Sequence, residues 1–200
     1  MFPNYPTFTF LYSIMPIKKV LWILLGIFVF GILVFSFIIY ATIKVKSKDI
    51  SKLEPFQEWV GKTVPLHQEV VVFKELISLN EDRNYPYIIL DKAHPKWQYV
   101  EQQKTMAEPD LKKIDIFPVG STFQIEKATI FTNGVSGFST PYVFGTIRYG
   151  DKEFKVGYQW GEESISKRMD NNDKSWKFHQ APWQSEVDTI DYALPEAKGW

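Results

Sequence analysis

An uncharged apolar stretch covers residues 20–43 and constrains the chain more than any other feature. As a helix rising 1.5 Å per residue, it would be about 36 Å long, more than the ~30 Å hydrocarbon core of a bilayer. In lipid, an open segment satisfies its backbone hydrogen bonds only as a helix. A buried helix of a water-soluble protein is rarely this long and apolar on every face. We therefore predict that residues 20–43 span a membrane.

The flanking residues indicate that this span is an uncleaved signal-anchor. A cleaved signal peptide has a shorter apolar region followed by small residues at the cleavage site, and the sequence after Tyr40 lacks that pattern. Residues 1–19 form a short N-terminal tail, and its first 15 residues carry no charge. Two explanations stay open: translation starts at Met15 rather than Met1, or the tail lies as an aromatic segment at the membrane interface.

Lysines flank the span on both sides, so charge alone does not fix the topology. Counting by the positive-inside rule places the C-terminal side in the cytoplasm, but long domains are translocated largely regardless of charge. A short N-terminus bearing Lys18 and Lys19 usually stays inside, and the chain has no cysteine. We expect a single-pass protein of a bacterial inner membrane with a periplasmic C-terminal domain. Lysines after the span are predicted to contact the bilayer through anionic headgroups: Lys44, Lys46, Lys48 and Lys52.

The distribution of charge argues against nucleic acid as a partner. The formal net charge is zero, and residues 1–52 hold six lysines and one acid, Asp49. Residues 53–200 carry 17 Lys and Arg against 22 Asp and Glu, so the main body of the chain is mildly acidic. Binding of nucleic acid requires a basic surface that displaces counterions from the phosphates.

Residues 44–60 are predicted to be a juxtamembrane linker containing a short amphipathic helix. The apolar residues Ile50, Leu53, Phe56, Trp59 and Val60 recur at helical spacing. Such a helix packs onto the following domain or lies on the membrane surface, and we favour packing onto the domain.

Residues 61–200 are predicted to form one mainly-β domain of six or seven short strands. Alternating or β-branched runs, including residues 97–101 (WQYVE), are separated by turn signals such as Asn133-Gly134 and the glycine-led connection at Gly150. Gly145 and Gly157 inside strands indicate bulges or sharp bends. We expect a small antiparallel barrel of the SH3-like or OB-like type, with an open β-sandwich as the alternative.

No pattern typical of a catalytic or metal site is present in the sequence. The three histidines, His67, His94 and His179, are not at ligand spacing. Residues 134–138 (GVSGF) lack the final glycine of a nucleophile elbow, and residues 170–175 (DNNDKS) lack the glycine of a calcium-binding loop. We therefore expect a chain that is not an enzyme and has no cofactor.

Aromatic residues in the C-terminal third are the remaining candidates for a binding site. Exposed tryptophans stack on sugars or anchor protein partners, whereas buried ones close the core of a small domain, which is the interpretation that we favour. Our first hypothesis is a non-catalytic module that binds a protein partner in the cell envelope. A cell-wall or glycan binder and a membrane-bound immunity protein that neutralises a toxin are the alternatives. The candidate residues are Tyr158, Trp160, Trp176, Phe178 and Trp183.

Overall fold

The computed structural model describes residues 16–76, 82–170 and 172–197, and the chain divides after Ile43 into two compact units. The first unit contains helix α1 (Ile17–Ile43), whose 27 residues are long and apolar enough to span a membrane. No part of its most apolar 18-residue stretch is buried against the rest of the described chain. The predicted apolar segment is therefore a continuous helix that begins three residues earlier than the sequence pattern indicated.

The second unit is mainly β, as predicted. Its strands are β1 (Lys46–Asp49), β2 (Thr63–Pro65), β3 (Val70–Glu75), β4 (Tyr87–Asp91), β5 (Leu111–Phe117), β6 (Thr122–Thr132), β7 (Ser139–Tyr149), β8 (Lys152–Gln159), β9 (Glu162–Glu163) and β10 (Trp176–Lys177). Two short helices interrupt them, α2 (Trp97–Gln103) and α3 (Ile165–Met169).

The main sheet is open and mixed, so the predicted closed barrel of SH3-like or OB-like type is wrong. Its strands lie in the order β1-β6-β7-β8-β4-β3-β5, with β2 also paired to β6. Neighbouring strands are antiparallel except β4 and β8, which are parallel. Closure would require β5 to pair with β1 or β2, but within the described residues β5 pairs only with β3. The other sheet in those residues is the two-stranded β9–β10 pair.

The burial of β3 explains why the sheet stays open. Val70 and Val72 face one hydrophobic core, while Val71 and Phe73 face a second core on the opposite side of the sheet. A small barrel buries only its inner face, whereas this strand needs a cover on both faces. The larger core, here called the main core, is covered by the C-terminal segment, and the smaller, here called the helix-side core, by α2.

Two segments differ from their predicted secondary structure. Residues 97–101 were predicted to be a strand but begin helix α2, in which Trp97 and Val100 lie on the side facing the sheet. Five residues are too few to separate a period of two from a period of 3.6. In the linker, β1 and a short 3₁₀ turn (Phe56–Glu58) replace the expected amphipathic helix, because β1 pairs with β6. Ile50 and Phe56 still pack into the main core, fully buried.

The meander from β6 to β8 follows the sequence prediction closely. Gly150, with φ of 58°, leads the tight connection between β7 and β8. Gly145 lies opposite a bulge in β6, where the register shifts between Ile125 and Lys127. A Cβ atom at Gly145 would collide with the carbonyl oxygen of Gln124, so only glycine lets the two strands approach this closely.

Candidate functional site

The five aromatic residues predicted as candidates for binding all lie in the main core. Tyr158 and Trp160 have no exposed surface, and the others are at most 3% exposed. Four of the rings, those of Tyr158, Trp160, Phe178 and Trp183, contact one another edge to face. Between ring centroids, Trp160 lies 5.0 Å from Phe178 and 5.4 Å from Trp183. Buried rings cannot stack on a sugar, so the glycan hypothesis that depended on their exposure is lost.

These rings attach the C-terminal segment to the sheet. Trp160 Nε1–H donates a hydrogen bond of 2.8 Å to the carbonyl oxygen of His179. Gly161, with φ of 106°, leaves room for the ring of Phe178, which a Cβ atom would approach to 2.6 Å. The aromatic cluster therefore acts as a cover for one face of the sheet.

A buried polar cluster, which sequence reasoning missed, joins β4 and β8 to the same C-terminal segment. The Tyr158 hydroxyl donates to Asp91 Oδ2 and lies 3.1 Å from both that oxygen and His179 Nε2. The backbone N–H of Lys96 donates to His94 Nδ1, so His94 Nε2 carries the proton and donates to the Gln159 carbonyl at 2.9 Å.

Burial keeps the two histidines of this cluster neutral. Burial, and secondarily the neighbouring His94 ring, lowers the pKa of His179 to about 3. Burial likewise lowers the pKa of His94 and raises that of Tyr158. Asp91 Oδ1 also accepts the backbone N–H of Ala93 at 2.8 Å, so both carboxylate oxygens of Asp91 accept hydrogen bonds. We interpret the cluster as structural. No sequence signal indicated it, because its members are up to 88 positions apart, from Asp91 to His179.

A groove lies between α2 and the edge strand β5. It encloses about 430 Å³. Its floor is apolar and comes from β3, α2 and β5: Val71, Phe73, Trp97, Val100, Leu111 and Ile116. A second recess of about 350 Å³ lies on the other side of Leu111 and is lined by Ile88, Leu90 and Tyr99, among others.

Polar contacts from α2 hold one end of the groove in place. Gln103 Oε1 accepts the backbone N–H of Asp110 at 2.6 Å, and the Tyr99 hydroxyl donates to Asp110 Oδ2 at 3.0 Å. Asp110 directly precedes β5, so both contacts fix the start of that strand against the helix. A groove whose walls are tied together loses little entropy when it binds a ligand.

The rim of the groove carries more positive than negative charge. Lys92, Lys104 and Lys113 line it together with one acid, Glu69. Lys104 is paired with Glu101 at 2.7 Å, whereas Lys92 and Lys113 form no ion pair within the described ranges. An acidic ligand would therefore find two cations at the rim that are not held in ion pairs with other described residues.

The lysines predicted to contact lipid lie at the start of the domain. Lys44, Lys48 and Lys52 are exposed, and Lys46 is partly buried. Lys46 and Lys48 belong to β1, where they lie opposite Thr132 and Ile130 of β6. In the part of the chain that the structure describes, no group of three metal-ligating side chains could hold a metal ion.

Comparisons of the chain with family models, with curated proteins and with solved structures gave no match.

Proposed function

We propose that this chain is a membrane-anchored, non-catalytic module that binds an extended segment of a protein partner in the groove between α2 and β5. We place α1 in a bacterial inner membrane and the domain in the periplasm. The orientation is supported by Lys18 and Lys19 directly before the uncharged apolar stretch and by the absence of cysteine from the sequence. The single observation that carries the binding proposal is an apolar groove beside the edge of β5, which no other strand among the described residues covers.

The free edge of β5 supplies backbone hydrogen-bonding groups to a ligand. Over the described residues β5 pairs on one side only, so its seven residues offer an edge of about 23 Å. One outward group is already capped, since the backbone N–H of Ile116 donates to Asp115 Oδ1 at 2.8 Å. An extended peptide that adds to a sheet edge gains main-chain hydrogen bonds, and alternate side chains enter the neighbouring groove.

The apolar floor sets the chemistry of the side chains that would enter. The Phe73 and Trp97 rings meet edge to face at 6.4 Å between centroids, and Lys113 stands on β5 directly opposite Phe73. Apolar side chains of the partner would bury against these rings, while the alternate side chains of an added strand point to the opposite face of the sheet. On that face the exposed Lys112 of β5 lies opposite the exposed Lys74 of β3. We therefore assign the partner segment an alternation of apolar and acidic residues.

A peptide-binding experiment on the full chain in lipid nanodiscs tests this proposal. The probe is a fluorescent ten-residue peptide in which leucine alternates with aspartate. Controls are a peptide of the same composition with all leucines in one block and a peptide with lysine in place of aspartate. We expect the alternating acidic peptide to bind at least tenfold more tightly than either control, measured by fluorescence anisotropy.

Two substitutions locate the peptide on the protein. Ile116→Asp places a charge on the exposed floor of the groove and should weaken binding at least tenfold, whereas Ile190→Asp, at an exposed isoleucine outside the groove lining, should not. Lys112→Glu should weaken binding of the acidic peptide and strengthen binding of the lysine peptide. Equal effects of the two isoleucine substitutions, or equal binding of the alternating and blocked peptides, would refute the proposal.

Backbone methylation distinguishes strand addition from simple apolar contact. A peptide methylated at the amides of every second residue loses half of its N–H donors, and the donors that face β5 all belong to one of the two alternate sets. Methylation of the amides that face β5 should abolish binding, and methylation of the other alternate set should leave binding unchanged. An equal loss of affinity for the two methylated peptides would contradict strand addition.

A further inference from the structure

Chain connectivity keeps one hairpin of the domain close to the end of α1. Only residues 44 and 45 separate Ile43 from Lys46, the first residue of β1. Lys46 lies opposite Thr132, the last residue of β6. With 3.8 Å between consecutive Cα atoms and about 5.5 Å between paired strands, the Thr132 Cα lies within about 17 Å of the Ile43 Cα in any orientation of the domain.

The turn that follows Thr132, residues 133–138, is here called the β6–β7 tip. It is a folded turn: Asn133 Oδ1 accepts the backbone N–H groups of Val135 and Ser136, each at 2.9 Å. The backbone N–H of Gly137 donates to the Asn133 carbonyl at 2.9 Å. The tip therefore presents its side chains from a defined backbone.

The β6–β7 tip exposes two large apolar side chains and carries no charge. Val135 is 73% exposed and Phe138 is 54% exposed, so neither contributes much to the core of the domain. Residues 133–138 contain no Asp, Glu, Lys or Arg, so insertion of this turn would bury no charge. Apolar side chains at a turn gain free energy when they move from water to the boundary between headgroups and acyl chains.

Positive charge lies beside the tip. Lys44 and Lys48 are exposed, and β1, which contains Lys48, runs next to the end of β6 that leads into the tip. Lysines near an anionic membrane surface are attracted to its headgroups. Apolar side chains on an uncharged turn with lysines beside them match an anionic bilayer surface.

We propose that the β6–β7 tip inserts into the lipid interface, with Val135 and Phe138 below the headgroups, so that the domain is attached to the membrane at two points. This inference rests on the proposed membrane anchor. Together, α1 and the tip would restrict the rotation of the domain and hold it in one range of orientations.

The absence of cysteine allows a direct test with single spin labels on the full chain. Val135→Cys and the control Val119→Cys are labelled after reconstitution into vesicles of phosphatidylcholine and phosphatidylglycerol. Val119 is 62% exposed and precedes β6, and the 11 residues of that strand place it about 33 Å from the tip. Collisions with oxygen, which concentrates in lipid, are compared with collisions with a water-soluble nickel complex.

We expect the label at position 135 to favour oxygen and the label at position 119 to favour nickel. Phe138→Cys, directly before β7, and Tyr149→Cys, at the last residue of β7, form a second pair, with 54% and 51% of the native side chains exposed. The label at position 138 should favour oxygen, and the label at position 149 should favour nickel. A third label at Phe30→Cys reports α1 itself. Oxygen preference at position 30 with nickel preference at 135 would overturn this inference alone, and nickel preference at 30 would overturn the anchor and this inference together.

Discussion

Acidification should destabilise the domain through the histidines of the buried polar cluster. The pKa of His179 lies near 3 in the folded protein, against 6.5 for an ordinary histidine. Between these values the unfolded chain binds a proton that the folded chain does not, so stability falls as pH drops below about 6.5. Each unit of pH costs about 1.4 kcal/mol, so His179 alone removes about 2 kcal/mol at pH 5.

His94 contributes in the same direction, because burial lowers its pKa as well. The carboxylates whose pKa is lowered, such as Asp82 and Asp191, lose their contribution only as pH falls below their ordinary value of 3.8. Between pH 7.5 and pH 5 the histidines should therefore dominate the slope of stability against pH.

Urea unfolding of the full chain in mild detergent measures this slope. The fluorescence of the buried tryptophans of the main core reports the loss of the domain. His179→Gln removes the titrating ring and should reduce the loss of stability between pH 7.5 and pH 5 by about 2 kcal/mol. His67→Gln, at an exposed histidine, should leave the slope unchanged. If stability falls as steeply with pH in His179→Gln as in the unmodified chain, the pH dependence does not come from His179.

Two further predictions address the sheet and the topology. Gly145→Ala should destabilise the domain by about 3 kcal/mol in the same urea assay, because the new methyl group collides with the backbone of β6. At Gly120 an added Cβ atom would meet no other atom, but alanine would have to keep a φ of 89°, so Gly120→Ala should cost about 1 kcal/mol of stability. Equal losses of stability in the two variants would contradict the steric argument. For topology, a C-terminal alkaline phosphatase fusion should be active and a C-terminal green fluorescent protein fusion dark. The opposite pattern would place the domain in the cytoplasm.

Local features of this chain were predictable because their causes are local. The apolar helix follows from composition over more than twenty consecutive residues. The β6–β8 meander follows from alternation and from the turns at Asn133 and Gly150, and Gly145 indicated the bulge in β6. Each of these signals lies within about ten residues of the feature that it predicts.

The order of the strands was not predictable, because it depends on contacts between distant segments. The parallel pairing of Tyr87 with Val156 joins residues nearly 70 positions apart. This pairing connects the β6–β7–β8 meander to β4, and through β4 to β3 and β5. Nothing in either segment indicates the other. A barrel was the expectation because short antiparallel strands with tight turns are equally typical of barrels and open sheets.

The candidate sites also have a part that could be predicted from the sequence and a part that could not. The aromatic residues from Tyr158 to Trp183 form a cluster in the structure, but the sequence alone could not show whether they are exposed. Their burial depends on Phe56, in the segment between β1 and β2. The groove is formed in part by helix α2, at a position where a five-residue window of the sequence resembled a strand. The residues that line it are spread along the chain from Glu69 to Ile116. Its discovery required the structure.

The positions of the two proposed contact surfaces limit where a partner can be. β1 and β5 are opposite edges of the sheet, six strand spacings or about 29 Å apart. Because the edge of β1 and the edge of β5 are on opposite sides of the sheet, a strand added to β5 would leave β1 and the β6–β7 tip uncovered.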